Sequence, residues 1–248
     1  MLIIEGLIAG VLIGSVLGFI GAGGAMLSVP ILIYVFDFSA SHATTAALAV
    51  VLLAAASGLI PKFKSKDVLV KEALIICALG LTTNISTSLI ADRLSERFIL
   101  TGFSIVLLVA GTSMLIKPFT SGPERKMPAW ALILVSLVIG CMTGLFGIGG
   151  GFLAIPILVL FFQVPQNKAA GTSLLIIVLN SITAFLGHYK IWSEVNWTVP
   201  IAMAVSAVVI SQLASGKSAH ISPVILKSAF AVLLFSISAI TLLNAWVI

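Results

Sequence analysis

The sequence GLFGIGGGFLAIPIL at residues 144–158 has an earlier counterpart, GFIGAGGAMLSVPIL, at residues 18–32. The two stretches are offset by 126 residues, and between Gly14 and Phe36 ten of 23 positions are identical to their counterparts without a gap. In both stretches closely spaced glycines interrupt an apolar run, and a proline follows shortly after. The chain is therefore predicted to consist of two homologous halves, each opening with a broken helix.

Composition places these halves in a membrane. The chain has 248 residues, of which 60% are hydrophobic and 8% charged, and its mean hydropathy is +1.25. A soluble domain is about 45–50% apolar and about 25% charged, so a soluble enzyme, a nucleic-acid binder and a disordered chain are excluded. Continuous apolar runs of about 17–25 residues fit a hydrocarbon core of about 30 Å. The sequence predicts an all-α polytopic protein of the cytoplasmic membrane, in contact with the lipid bilayer.

Each half has the same order of segments. The apolar segments are 2–36, 43–60, 68–91, 98–116, 128–162, 169–187, 196–214 and 222–247. The first segment of each half is too long for one span and is broken by glycines. If each broken segment crosses the membrane once, the halves are parallel. If each folds back as a re-entrant hairpin, three spans remain in each half and the halves are inverted.

Basic residues distinguish these two arrangements. With the 61–67 loop in the cytoplasm, the inverted arrangement puts ten Lys and Arg inside and three outside, against eight and five for the parallel one. The positive-inside rule therefore favours inversion. Hairpin arms of about 17 residues rise about 25 Å, deep without crossing. We predict an N-terminal repeat at 1–117, a cytoplasmic linker at 118–127 and a C-terminal repeat at 128–248, with six spans, two hairpins and both termini outside.

The glycine breaks are the first candidate binding elements. Irregular backbone at membrane depth is tolerated only where protein or a wet cavity surrounds it. A helix that restarts after a break presents free N–H groups and a positive dipole end, which attract an anion. The competing interpretation is close helix packing, as for Gly6, Gly10 and Gly14, which recur every four residues. The candidate residues are Gly21, Gly23, Gly24, Gly147, Gly149, Gly150 and Gly151.

Hydroxyl and amide side chains inside the spans are the second set of candidates. Thr172 and Ser173 follow the second broken segment, and their hydroxyls could donate to an anion's oxygens. Bonding to a carbonyl one turn earlier is the structural alternative. Thr44 and Thr45 follow the first broken segment, and Asn180 lies two turns beyond Thr172 on the same helix face. We see no ionisable group at mid-span, so backbone dipoles and hydroxyls are expected to neutralise the anion.

The polar inventory does not suggest an enzyme. The two cysteines and three histidines show no metal-ligand spacing, and no cofactor motif is present. A membrane enzyme or a structural subunit is therefore the weaker hypothesis, since a nucleophile or an acid–base pair is missing. Duplicated broken helices are instead typical of secondary transporters.

The two glycine motifs, together with Ala169-Ala170-Gly171-Thr172-Ser173-Leu174, resemble the TauE/SafE family of membrane permeases over essentially the whole chain. This resemblance implies a sulfur-containing anion as substrate, such as sulfite, sulfoacetate or a related organosulfonate, and outward transport. The first half departs from the pattern, because Thr45-Ala46-Ala47 aligns with Gly171-Thr172-Ser173. We therefore expect two unequal half-sites.

The resulting hypothesis is a secondary transporter that exports a small sulfur anion by alternating access. The alternatives are a channel-like anion pore and an uptake permease for thiosulfate or another small anion. Coupling to H⁺ could occur through a proton carried on the substrate, and coupling to Na⁺ through carbonyls at the broken helices.

Overall fold

The structure is a computed structural model and describes residues 2–91, 95–116, 128–146 and 151–246. These residues form ten α-helices, with no strand among them. The helices are α1 (Leu2–Ile20), α2 (Gly24–Tyr34), α3 (Ala40–Lys64), α4 (Val70–Ala91), α5 (Glu96–Ile116), α6 (Ala129–Phe146), α7 (Gly151–Phe162), α8 (Gln166–Gly187), α9 (Thr198–Lys217) and α10 (Pro223–Trp246). The all-α prediction is confirmed, while the predicted linker 118–127 lies outside the described residues.

Six of these helices are long and apolar enough to cross a membrane, namely α1, α3, α5, α8, α9 and α10. Large apolar side chains cover their outer surface, for example Leu12 with 56% and Val109 with 61% of the side chain exposed. Such a surface suits lipid rather than water. The chain is thus a multi-pass membrane protein, as predicted. By length and composition α1 is among the six within the described residues, and which helices cross the membrane stays a prediction.

The predicted break in the first segment is present and depends on glycine. α1 ends at Ile20 and α2 begins at Gly24, while Gly21 and Gly23 adopt φ angles of 81° and 88°. This left-handed backbone is costly for residues that carry a Cβ. The arms are unequal, with 19 residues in α1 and 11 in α2. The expectation of two arms of about 17 residues is therefore wrong, because α2 ends early in a turn with Asp37 at φ 56°.

The repeat detected in the sequence is also a structural repeat. Gln163 follows α7 as Asp37 follows α2, at an offset of 126 residues, and its φ is 54°. In both turns the chain closes with the same backbone bond. The N–H of Phe38 donates to the carbonyl of Leu32 at 3.0 Å, and that of Val164 donates to Leu158 at 3.1 Å. The two halves therefore share their element order down to the conformation of single residues.

The first helix of each half packs against a helix of the other half. α1 runs parallel to α9, with Gly6 against Ala202 and Gly14 against Ala207. α6 runs parallel to α4 in the same way, and the hydroxyl of Thr83 donates to the Leu137 carbonyl at 3.1 Å. Since α6 is the counterpart of α1 and α4 the counterpart of α9, the two contacts are equivalent. Small residues at these crossings let the helices approach closely.

Counterpart helices pack against each other in antiparallel fashion. Between α5 and α10, the Trp246 indole donates to the Thr101 hydroxyl at 3.1 Å, and Ser238 donates to the Ser104 carbonyl at 3.1 Å. The partner number falls as the number along α5 rises, so the two helices run in opposite directions. Antiparallel counterparts are the arrangement that the predicted inverted repeat requires.

The α3 and α8 pair is antiparallel in the same way as the α5 and α10 pair. Thr45, near the start of α3, contacts His188 at the end of α8, and Lys62, near the end of α3, contacts Gly171 near the start of α8. Thr45 and Gly171 are counterparts at the 126-residue offset, and so are Lys62 and His188. The two contacts are therefore equivalent positions at opposite ends of one helix pair.

We expect Gly14→Ala to destabilise the protein. A Cβ at this position would lie 2.6 Å from the Ala207 carbonyl oxygen and 2.9 Å from its Cα, so α1 and α9 would have to separate. Overpacking of this kind costs about 1–3 kcal/mol. The melting temperature in detergent should fall by several degrees. Gly187→Ala is the matched control, because no heavy atom lies within 4 Å of that added Cβ. Equal melting temperatures for the two variants would contradict the crossing.

Candidate binding site at the glycine breaks

Both broken segments contact one face of α8. Gly21 of the first break lies so close to α8 that an added Cβ would be 2.6 Å from the Cα of Ala170. At the start of α7, Gly151 lies against Ile177, and its carbonyl accepts a hydrogen bond from Ser173 at 2.6 Å. Residues 170, 173 and 177 lie on one side of the helix. The N-terminal half of α8 therefore contacts both Gly21 of the first break and the first residue of α7.

The first break is enclosed by protein. Gly21, Gly23 and Gly24 are all buried, and Gly23 precedes α2 without any side-chain cap on the helix. The free N–H groups at the start of α2 thus lie inside the bundle, as the sequence predicts. The contact of Gly21 with Ala170 leaves no opening between the break and α8 in this conformation. Gly147, Gly149 and Gly150 lie outside the described residues.

The two hydroxyls predicted to bind the anion are engaged with backbone groups. Thr172 is fully buried, and it donates to the Lys168 carbonyl at 2.7 Å while accepting from the Leu69 N–H at 3.0 Å. Ser173, also fully buried, donates to Gly151. In this conformation the two side chains fix the loop after α3 and the start of α7 onto α8. The structural alternative considered for Thr172 is therefore the contact observed.

The first half has a different arrangement at the equivalent position. Thr45 is fully buried, donates to the Ser41 carbonyl at 2.9 Å and lies 2.8 Å from Nδ1 of His188. The tautomer of His188 sets which of these two atoms donates. Thr44 donates to the Ala40 carbonyl at 2.8 Å. At the 126-residue offset, Thr45 is the counterpart of Gly171 and His188 is the counterpart of Lys62.

Asn180 extends the same face of α8 by one turn beyond Ile177. With Asn84 of α4 and Thr143 of α6 it lines a cavity of about 10 Å³. That volume accommodates about one water molecule. The counterpart positions in the other half are Ala54, Ile210 and Leu17, which are apolar. Polar groups therefore collect around the second broken segment and not around the equivalent place in the first.

One functional candidate was missed by the sequence analysis. Lys62 falls in the predicted 61–67 loop, but α3 continues through Lys64, so Lys62 is helical and its side chain is buried. Its side chain is 2% exposed, and its ammonium donates to the Ser218 hydroxyl at 2.7 Å. Lys62 is therefore a buried cationic side chain that the sequence analysis did not name as a candidate. The repeat offers the missing signal, since Lys62 aligns with His188, a second nitrogen-bearing side chain.

A duplicated helical bundle with an apolar exterior, whose broken segments pack on one helix, is typical of multi-pass membrane transporters. Residues 6–241 match the family model described as Sulfite exporter TauE/SafE, so the chain belongs to the TauE/SafE family. The resemblance seen in the glycine motifs is confirmed. Family and relatives' names indicate a transporter rather than an enzyme.

Curated relatives agree on this class. A protein of Xylella fastidiosa named probable membrane transporter protein is 29% identical over 208 residues, covering 81% of this chain and 78% of the relative. The probable membrane transporter protein YunE of Bacillus subtilis is 27% identical over 237 residues, or 84% of each chain. A probable membrane transporter protein of Methanocaldococcus jannaschii is 36% identical over 111 residues, covering 42% of this chain and 41% of the relative.

We expect Thr172→Val to weaken the site's framework, whereas Thr172→Ser should keep it. Valine removes the acceptor of the buried Leu69 N–H, and an unsatisfied buried donor costs about 1–3 kcal/mol. The melting temperature in detergent should fall for the valine variant and stay near the wild-type value for the serine variant. A valine variant as stable as wild type would show that the Thr172 contact does not hold the loop.

Proposed function

We propose that the protein is a secondary carrier that moves a small sulfur-containing anion, such as sulfite, sulfoacetate or a related organosulfonate, out of the cell. Membership of the TauE/SafE family supports the substrate class. The observation that carries the proposal is the convergence of both broken segments on one face of α8, close to the buried Lys62.

Lys62 supplies the positive charge for this site. Among the described residues no carboxylate lies within ion-pair distance of its ammonium, whose one hydrogen-bond partner is the neutral Ser218. Asp67, in the turn after α3, attracts this ammonium from beyond ion-pair distance. A buried charge is costly unless it is directly paired and hydrogen-bonded. A bound anion would neutralise it, whereas Gly171 itself is covered by the backbone carbonyl of Asp67 and the Cβ of Lys62. The half-site containing Lys62 is therefore the stronger one for an anion.

Alternating access is supported by the antiparallel packing of counterpart helices. If α3 and α8 cross the membrane, the Lys62–Gly171 contact and the Thr45–His188 contact lie near opposite membrane surfaces. A rocking motion about the pseudo-two-fold axis would open one end while closing the other. The close contact between Gly21 and Ala170 favours a carrier over a channel-like pore, since it leaves no continuous opening at the break.

The proposal is tested by transport in proteoliposomes loaded with labelled sulfite, sulfoacetate or thiosulfate. We expect saturable efflux and counterflow for sulfite or an organosulfonate, with imposed H⁺ and Na⁺ gradients identifying the coupling ion. Lys62→Met should lower kcat/KM about 10- to 100-fold, because a hydrogen bond to a charged group is worth about 1.5–3 kcal/mol. Lys64→Met is the control, since Lys64 is exposed two residues further along α3.

Each result in this assay has a definite meaning. Flux that rises linearly with concentration and lacks counterflow would indicate a pore. Transport of thiosulfate alone, into the vesicle lumen that corresponds to the cytoplasm, would indicate an uptake permease. Absence of flux for every sulfur anion, with folded protein in the vesicles, would reject the proposal.

The inverted arrangement gives a separate prediction about the loops after α3 and α8. Ser65 and Ser193 are both exposed and lie in equivalent loops of the two halves. Single cysteines placed there, in a background lacking Cys77 and Cys141, should face opposite sides of the membrane. An impermeant thiol reagent is expected to label Ser193→Cys in intact cells and Ser65→Cys only after lysis. Labelling of both from one side would establish parallel halves.

A further inference from the structure

Gln166 is a buried amide for which the structure provides no hydrogen-bond partner. Its side chain is 2% exposed, and neither Oε1 nor Nε2 has a partner. Leaving a buried polar group unsatisfied costs about 1–3 kcal/mol. Native proteins retain few such groups, so each requires an explanation. A ligand that binds both atoms would supply one.

The position of Gln166 connects it with the breaks. It is the first residue of α8, one turn before Ala170 and two turns before Ser173 on the same helix face. Those two residues contact the first and the second broken segment, respectively. Gln166 therefore extends the surface that contacts both broken segments toward the N-terminus of α8.

The N-terminus of α8 adds a field that attracts anions. Its N-cap is Pro165, which provides no side-chain hydrogen bond to the first turn. The amides of a helix's first turn have no partner within the helix, and they carry the positive end of the helix dipole. In α8 this end coincides with the unpaired carboxamide of Gln166. The equivalent residue of the other half, Ala40, is exposed and has no polar side chain, so this feature exists at one end only.

We propose that Gln166 is a substrate-binding residue that selects a protonated oxyanion, of which hydrogensulfite is the simplest sulfur example. Nε2 donates to an oxygen of the anion, and Oε1 accepts from the O–H that the same ligand carries. A fully deprotonated dianion satisfies the donor but leaves Oε1 unpaired, and sites built for a hydrogen bond discriminate strongly against ligands that cannot make it. This inference rests on the proposed function and adds the protonation state of the cargo.

The test compares Gln166→Met with Gln212→Met, the same change at an exposed position of α9. Sulfite is added to purified protein in detergent, at pH values on either side of the second ionisation of sulfurous acid, and the rise in melting temperature is measured. For wild type and Gln212→Met we expect a rise that is larger at the lower pH. For Gln166→Met we expect no rise with sulfite, an unliganded melting temperature at least equal to that of wild type, and at least tenfold slower sulfite efflux.

The outcomes separate this inference from the proposed function. If wild type and Gln166→Met respond to sulfite and transport it equally, Gln166 does not bind substrate, although the protein is still a sulfite carrier. If wild type neither responds nor transports, the proposed function itself fails. If Gln166→Met does not fold, Gln166→Glu serves instead, because it keeps the shape but loses the donor when ionised. Sulfite efflux by this variant equal to that of wild type, at a pH above the ordinary Glu pKa of about 4.3 and below the second ionisation of sulfurous acid, would overturn the inference.

Discussion

The structure depends on the contact between interrupted backbone and α8. A chain inside a bilayer must satisfy its peptide groups within the protein, so a broken helix survives only where another element shields the break. Here α8 provides that shield at a small residue, Ala170, against which Gly21 packs without an intervening side chain. On the same face, Ser173 satisfies the carbonyl of Gly151. The same helix therefore shields the first break and holds the start of α7, and under the proposed function it would also form one wall of the anion site.

Duplication gives the two halves equivalent helix contacts, while single side chains make the two ends of the bundle chemically different. The helix contacts of the two halves correspond, as shown by the Thr45–His188 and Lys62–Gly171 contacts of α3 with α8. Chemistry differs at these equivalent places, because one carries a lysine and the other a histidine. A transporter whose two ends were identical would bind its cargo equally on both sides. Different side chains at the two equivalent positions would make the affinity for cargo differ between the two sides, while the packing of the helices stays the same.

Much of the fold could be predicted because the repeat is explicit in the sequence. The offset of 126 residues, the break at Gly21 and Gly23 and the run of apolar segments depend on residue type alone. The inward turn of Lys62 could not be predicted from the charge pattern, which is the same for a solvated lysine. The early end of α2 likewise depends on Asp37 adopting a positive φ, for which aspartate is only a weak signal. Burial of Gln166 arises from tertiary packing, and a first-turn glutamine is ordinarily solvated.

A carrier must also release what it binds, and the arrangement around α8 suits modest affinity. Permanent pairing of Lys62 with a carboxylate would cancel the field at the site, whereas pairing with the neutral Ser218 hydroxyl preserves the charge. The hydroxyls of Thr172 and Ser173 already serve backbone groups, so they add little to the hold on a ligand in this conformation. Under the proposed function, an anion would therefore meet one ammonium and helix-end amides rather than a closed ring of donors. Such a site would bind without trapping, because the few contacts made by the anion could be exchanged for water when the broken segments move relative to α8.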